Sequence, residues 1–394
     1  MRLLVVTHNY PRFPGDPAGS YVRRLAEAAR DVGHDVQVLA PHVAGTAETE
    51  KAGQLTVRRF RYGPAWVERV GYRGERPGQI LLDPLAVLAL PAYFLRFRVE
   101  VRRAAEMLRP EVIHAHWWFP AGWLVSGLGG PFVVTCHGTD VRLLDSPLFR
   151  ALARGVLTKA AAVTTVSQFL AQDIARHVGS LPRPFMVAPM PVDVDAFATG
   201  EETPKADPPR ILYAGNLVAA KGVDVLIRAL AVLAARGVTC RLKILGEGPA
   251  RADLDTLARS LGVADRIDWS GFVPQDRMPA EYGAATVTVL LSRGKAEGLG
   301  LTLVEALCAG SAVVGTPAGG IPEVILDGRT GLLAREGDAE HLAEQLERLL
   351  TDDALRARLT EAGQAHVRER YAPATTARTF LDLYHALARN HPTR

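Results

Sequence analysis

The sequence predicts an α/β protein built from two Rossmann-like, doubly wound domains facing across a cleft. Three observations carry this. Short apolar runs rich in Val, Ile and Leu alternate with amphipathic helical segments through both halves of the chain, the pattern of buried parallel strands joined by helices. The alternation is interrupted by one polar, proline-rich stretch, Thr199 to Pro209, after which a fresh apolar run begins at Ile211, as expected of a linker between domains. Glycine-containing polar motifs stand directly after several strand candidates, where open α/β sheets bind ligands.

Taken in order, the strand candidates of the first half are Leu3–Thr7, Asp35–Leu39, Leu55–Phe60, Val112–Ala115, Phe132–Thr135 and Ala162–Val166. Those of the second half are Arg210–Ala214, Arg241–Leu245, Arg266–Trp269, Thr286–Leu290 and Ala312–Gly315. The helix after Ser20 places Val22, Leu25, Ala29 and Val32 on one stripe, and Gly33 ends it. The domains are expected over residues 1–198 and 210–374, with 199–209 as linker. An amphipathic helix at 375–390 is a candidate to complete the first domain.

At 394 residues the chain is long enough for two domains. Its 48% hydrophobic and 22% charged residues are those of an ordinary globular protein. Cys136, Cys240 and Cys308 are far apart in apolar surroundings and lack metal-ligand spacing. The apolar run after Met1 is too short for a signal peptide. The longest apolar stretch, Ile80 to Leu95, is interrupted by Asp83, Pro84 and Pro91 and falls short of a membrane span. A cytoplasmic location follows as the expectation. The net charge of +4 is uneven: Lys51 to Arg109 holds 12 basic and 5 acidic residues. That stretch reads either as a solvated face or as a surface for peripheral contact with an anionic membrane or an acidic acceptor. No nucleic-acid motif accompanies it, so nucleic acid is not an expected partner.

The densest chemical signal is Lys295-Ala-Glu-Gly-Leu-Gly-Leu-Thr-Leu-Val-Glu305. Glu297 and Glu305 flank Gly298 and Gly300, and a small-residue helix follows. Glycines admit a phosphate close to the backbone, and a helix start adds partial positive charge. Carboxylates accept hydrogen bonds from sugar hydroxyls. A phosphate joined to sugars is a nucleotide sugar. The run Tyr213 to Asp224 is a strand, a glycine turn and a lysine, Lys221, at a helix start. It reads either as a diphosphate contact or as a cap, and matches neither a Walker A loop nor a dinucleotide turn. The segment from Gly315 to Glu323 is a second glycine-rich turn with an acid, equally readable as a plain loop.

His137, followed by Gly138-Thr139-Asp140 at a strand end, is the best candidate for chemistry, with a purely structural histidine as the other reading. His116, Trp117 and Trp118, with His114 before them, are candidates for a wall of an acceptor pocket, although such aromatic runs more often belong to a core. Asp193-Val194-Asp195 has the Asp-x-Asp pattern of metal-dependent sugar transferases but reads as a turn and helix cap. Two histidines with no convergent carboxylate do not make a metal site.

Together these segments resemble the retaining family-4 glycosyltransferases, the glycosyl transferases group 1, which have the GT-B fold. The resemblance covers nearly the whole chain. It rests on Tyr10-Pro11, Gly33-His34-Asp35-Val36, His137-Gly138, Val166-Ser167 and Val192-Asp193 with Phe197. It rests further on Lys221-Gly222, on Glu297 and Glu305 as the Glu-x7-Glu motif, and on Gly319-Gly320 with Glu323. The last three in this order are specific jointly.

The resemblance implies a hexosyltransferase-type enzyme that moves a sugar from a UDP- or GDP-type donor to an acceptor hydroxyl, with retention and without a metal or a permanently bound cofactor. The acceptor is a glycan, a lipid-linked molecule or a small molecule. By position, Lys221 contacts the donor diphosphate and Glu305 the ribose hydroxyls. Glu297 and the backbone of Gly298, Leu299, Gly300, Leu301 and Thr302 hold the sugar and phosphates. The backbone at Phe272 and Val273 reads the base, His137 stands by the sugar, and the loop at Gly19 approaches the diphosphate. His137, Glu297 and Lys221 are thus the implied catalytic set. Acceptor contacts are implied for loops near Pro41–Arg76 and His114–Trp123.

Two departures stand out. Asn216 occupies a position where the family has arginine, with Arg293 and Lys295 as nearby substitutes. The N-terminal loop, Gly15-Asp-Pro-Ala-Gly19, lacks a Gly-Gly pair. A nucleotide-sugar epimerase of the same fold and a non-catalytic nucleotide-sugar binder are the alternative readings.

Overall fold

The structure is a computed structural model that describes residues 1–71 and 83–390. Residues 72–82 and 391–394 lie outside the described set, and with them the end of the expected Pro41–Arg76 acceptor loop and the start of the apolar stretch at Ile80. The chain divides into two compact units, Met1–Pro191 with Pro373–Arg394, and Val192–Ala372.

The first unit holds an eight-stranded sheet. In chain order its strands are β1 (Arg2–Val6), β2 (Asp35–Pro41), β3 (Thr49–Ala52), β4 (Leu55–Phe60), β5 (Val112–His116), β6 (Phe132–Cys136), β7 (Ala162–Thr165) and β8 (Met186–Val187). Their spatial order is β3-β4-β2-β1-β5-β6-β7-β8. Every pair is parallel except the β3–β4 hairpin. The chain winds outward from β1 through β2 to β4, then crosses to β5 and winds the other way. The crevice beyond the carboxyl ends of β1 and β5 is therefore a topological switch point.

β3 was not expected. Its residues Thr49-Glu-Lys-Ala52 are all exposed, so no apolar alternation marks it. Backbone pairing to β4 defines it, with Gly53 in the left-handed region at φ 62° closing the hairpin. The charged side chains of this edge strand discourage further pairing.

The helix Ser20–Asp31 buries Val22, Leu25, Ala26 and Ala29. Val32, expected on the same stripe, is instead 58% exposed. It lies past the last helical turn, and Gly33 takes φ 89° directly after it. The C-terminal helix Pro373–Asn390 packs against this helix within the first unit. Tyr384 Oη lies 2.6 Å from His114 Nδ1, and the Phe380 ring stacks on the same imidazole with centroids 5.4 Å apart.

The second unit holds β9 (Arg210–Ala214), β10 (Arg241–Leu245), β11 (Ile267–Gly271), β12 (Val287–Leu290), β13 (Ala312–Gly315) and β14 (Leu332–Leu333). Their order is β11-β10-β9-β12-β13-β14, parallel throughout. The switch point lies between β9 and β12. The near-continuous apolar strands are covered by helices such as Val223–Ala235, which buries Leu226, Ile227, Leu230 and Leu233 in the core. Each such side chain contributes about 1.5–3 kcal/mol of burial.

Asp193 caps the short helix Val194–Ala198 by accepting the Ala196 N–H at 3.1 Å, the cap its sequence context suggested. Cys136, Cys240 and Cys308 are buried and unbridged. Among the described residues no helix is long and apolar enough to cross a membrane.

Phe380 is fully buried on the C-terminal helix, so Phe380→Ala should cost about 3–5 kcal/mol through lost contacts and a cavity. Urea unfolding followed by a probe in the first unit checks this. A loss below about 1 kcal/mol would mean the helix is not part of that core.

Candidate functional site

In the second unit the polar motifs gather at the switch point because glycines let the loops touch backbone to backbone. Beyond β9, a Cβ on Gly246 would overlap the Gly215 carbonyl, and one on Gly248 would overlap the Leu217 carbonyl. The chain then makes a tight turn, Ala219–Lys221, and Gly222 enters the helix Val223–Ala235 at φ 65°. A Cβ on Gly222 would strike the Leu291 carbonyl at the end of β12. This contact sets Lys221 over the segment after β12.

Lys221 Nζ lies 2.6 Å from Glu297 Oε2 and donates to Ser292 Oγ at 3.4 Å. Ser292 Oγ in turn donates to Glu297 Oε2 at 3.2 Å. The two charged side chains keep 21% and 16% of their surface, so a ligand can reach both. Gly319 and Gly320 hold the other side of this loop. A Cβ on Gly319 would overlap the Glu297 carbonyl, and one on Gly320 the Gly298 carbonyl. The Gly-Gly-x-x-Glu motif thus seats the Glu297 backbone. Leu299 is buried beneath the loop, and Gly300, at φ 97°, opens the helix Leu301–Cys308.

Neither the helix starting at Leu301 nor the one starting at Val223 has a side-chain N-cap. Both leave first-turn N–H groups for an anion. One turn further, Glu305 accepts the Tyr282 hydroxyl at 3.0 Å and the Gln275 amide at 3.1 Å. Burial, then the Glu305 charge, push the Tyr282 phenol well above 10, so it stays a donor. Phe272, just past β11, is 54% exposed and Val273 half-buried.

Asn216 is exposed, and its carbonyl accepts the Tyr213 hydroxyl at 2.9 Å. Arg293, considered as its substitute, is turned away: its Nη2 pairs with both Asp224 oxygens at 2.7 and 2.9 Å, and its Nη1 donates to the Ala219 carbonyl.

In the first unit, His137 follows β6, the strand beside β5. Its Nε2 lies 3.0 Å from His116 Nδ1. The Trp117 ring covers one side with centroids 4.3 Å apart, and Tyr21 lies 5.2 Å away. Trp117 adopts φ 68°, a left-handed conformation that costs a bulky residue strain and concentrates at functional sites. Its indole N–H donates to Thr139 Oγ1 at 2.9 Å.

The organiser of this loop is Asp140, which sequence reasoning passed over as a mere neighbour of His137. Its carboxylate accepts the backbone N–H groups of Trp118, His137 and Gly138 at 2.9, 3.0 and 3.1 Å. The signal available was an acid three residues after the histidine, in the pattern of a side chain folding back on its own loop. Burial raises the Asp140 pKa despite these three bonds.

His116, Trp117 and Trp118, expected to wall an acceptor pocket, are 0%, 2% and 0% exposed. They form the seat of His137, and Trp118 is core. Gly19, at φ 66°, starts the helix that carries Tyr21. A Cβ there would overlap the Asn9 carbonyl, so close packing against the loop after β1 demands the glycine.

Desolvation drives His8 to about 4 and His114 to about 3, and places His116 and His137 well below 6.5. These imidazoles are neutral in the folded chain near neutrality. Unfolding below about pH 6.5 therefore takes up protons, and stability falls as pH drops. Between pH 7 and about 5.5, the fully buried His8, His114 and His116 should each remove about 1 kcal/mol from the first unit. Urea midpoints across that range check this, and a flat profile would contradict it. Gly319→Ala should displace the Glu297 loop and weaken nucleotide-sugar binding about tenfold or more, from a strained left-handed residue and a backbone overlap. Calorimetric titration reads this, and unchanged binding would contradict the clamp.

Comparison with known proteins places both parts of the chain in described families. The family described as Glycosyltransferase Family 4 matches residues 18–196, and the family described as Glycosyl transferases group 1 matches residues 197–366. A D-inositol 3-phosphate glycosyltransferase of Acidothermus cellulolyticus is 30% identical, over 92% of this chain and 85% of that protein. The sucrose-phosphate synthase of Thermosynechococcus elongatus superposes with a TM-score of 0.81 at 21% identity, covering 99% of this chain and 100% of that one. HepE of Anabaena, solved in complex with UDP-glucose, gives 0.73 at 18% identity over 98% of this chain and 100% of that one. The chain belongs to the family-4 glycosyltransferases and has their GT-B fold.

Proposed function

We propose that this glycosyltransferase moves a hexosyl group from a UDP- or GDP-type sugar to an acceptor hydroxyl, with retention at the anomeric carbon and without a metal. The observation that carries the reading is the accessible Lys221–Glu297 pair beside two helix starts that lack side-chain caps.

The physical problem is charge. As the glycosidic bond breaks, negative charge grows on the diphosphate and positive charge on the sugar ring. Lys221 and the free N–H groups of the two first turns are fixed donors for the first, which supports a leaving group stabilised by protein alone. Glu297 holds that ammonium in place. When diphosphate takes the ammonium, Glu297 is released to accept hydrogen bonds from the sugar. Glu305 takes the ribose hydroxyls, and the backbone at Phe272 and Val273 meets the base.

His137, kept neutral by desolvation, is suited to hydrogen-bond a sugar hydroxyl. Asp140, the carboxylate nearest to it in its own loop, is engaged by three backbone amides. It is a poor nucleophile in that state. This favours front-face attack over a double displacement, with the leaving phosphate accepting the acceptor's proton. Superposition on HepE, a protein that binds UDP-glucose, supports a donor of that class.

Lys221→Ala and Glu297→Ala should each lower turnover by about a hundredfold or more, the usual scale for removing a preorganised charge contact. The product's anomeric proton coupling should report retention, and a chelator should leave the rate unchanged. Near wild-type turnover in both variants would overturn the site. An inverted product or a chelator-dependent rate would overturn the corresponding part. Conversion of donor to an epimer with no acceptor present would make the enzyme an isomerase.

A further inference from the structure

In the first unit the helix Pro84–Leu108 turns one side inward and leaves the other uncovered. Ala86, Ala89, Tyr93, Phe97, Val101 and Ala104 are buried. On the opposite side Leu88 is 77% exposed, Leu95 64% and Val99 44%. Their spacing of seven and then four places them in one row along the helix. Arg102 continues that row and Arg98 flanks it.

These two arginines meet Lys159, the last residue of the helix Pro147–Lys159. With the ring of Trp123 they line a pocket of about 230 Å³. No carboxylate lines this pocket. None of the three cations has a hydrogen-bond or salt-bridge partner among the described residues. Arg96 and Arg103, on the helix's other flank, are by contrast both paired with Glu100, at 3.6 and 4.0 Å.

A solvent-facing row of large aliphatic side chains that ends in unpaired cations is the arrangement of an interfacial surface. The charge decides the kind of surface: three unneutralised cations around one pocket call for a phosphate, and the row beside them calls for hydrocarbon. A phospholipid offers both. We propose that this face docks on an anionic phospholipid surface, with Leu88, Leu95 and Val99 entering the acyl boundary and Arg98, Arg102 and Lys159 holding a lipid phosphate. The docking is independent of the reaction proposed above.

Sedimentation with vesicles of phosphatidylglycerol in phosphatidylcholine, against phosphatidylcholine alone, tests it. The wild-type chain should pellet with the anionic vesicles only, and less as salt rises. A triple variant, Arg98→Ala, Arg102→Ala and Lys159→Ala, should lose about a hundredfold in partitioning, since each cation near such a surface is worth about fivefold. Leu88→Gln with Leu95→Gln should lose about tenfold or more through the apolar contribution. Unchanged thermal unfolding and nucleoside-diphosphate binding establish that both variants are folded.

Equal pelleting on neutral vesicles, or variants that bind anionic vesicles as well as wild type, would overturn the proposal. So would a wild-type dimer by light scattering that Leu88→Gln with Leu95→Gln dissolves, because the row is then an interface between copies. Stabilisation of the wild type by inorganic phosphate without vesicle binding would make the pocket a site for a soluble phosphate, and would overturn it as well.

Discussion

One ammonium–carboxylate contact, Lys221 to Glu297, ties together the loops of the second unit's candidate site. It links the loop after β9 to the loop after β12 across the reversal in strand order, and neither residue is sealed from solvent. A fully buried pair would be a cost to be compensated, and a fully exposed one would contribute little. A pair one-fifth exposed stands between these limits. It is held, and a ligand of higher charge density than a carboxylate can exchange with it.

The pair depends on close backbone contacts that only glycine permits. Gly222 rests on the end of β12, and Gly319 and Gly320 rest on Glu297 and Gly298. The spacing of glycines and acids in this chain is thus a packing requirement before it is a chemical one. In the first unit the same economy appears in another form: Asp140 replaces glycine contacts with three amide hydrogen bonds, and Trp117 takes a strained backbone angle to cover His137. In each unit these loops lie beyond the carboxyl ends of the parallel strands.

The sheets were legible because buried parallel strands are continuous apolar runs, as in Leu3–Val6 or Ala312–Gly315. β3 was not, since its residues are exposed and only pairing defines it. β8 and β14 span two residues each and carry no period. Val32 was misplaced because the helical stripe was extended past the last turn, where the chain reverses at Gly33. In the candidate site, residue type and spacing singled out Glu297, Glu305 and Lys221, and the fold brings Lys221 against Glu297. The burial of His116 and Trp118, the amide cradle of Asp140 and the pairing of Arg293 with Asp224 depend on tertiary neighbours that no local pattern encodes.

The central claim is that Lys221 belongs to the diphosphate and Glu297 to the sugar, so that their contact is exchanged on binding. Calorimetric titration of a nucleoside diphosphate without its sugar, into wild type, Lys221→Met and Glu297→Gln, tests this directly. Removing the ammonium should weaken binding by about a hundredfold, the scale of a lost charge-assisted contact. Neutralising Glu297 should leave binding equal or tighter, because it frees the ammonium. Equal weakening in both variants would contradict the account and make the pair a structural strut.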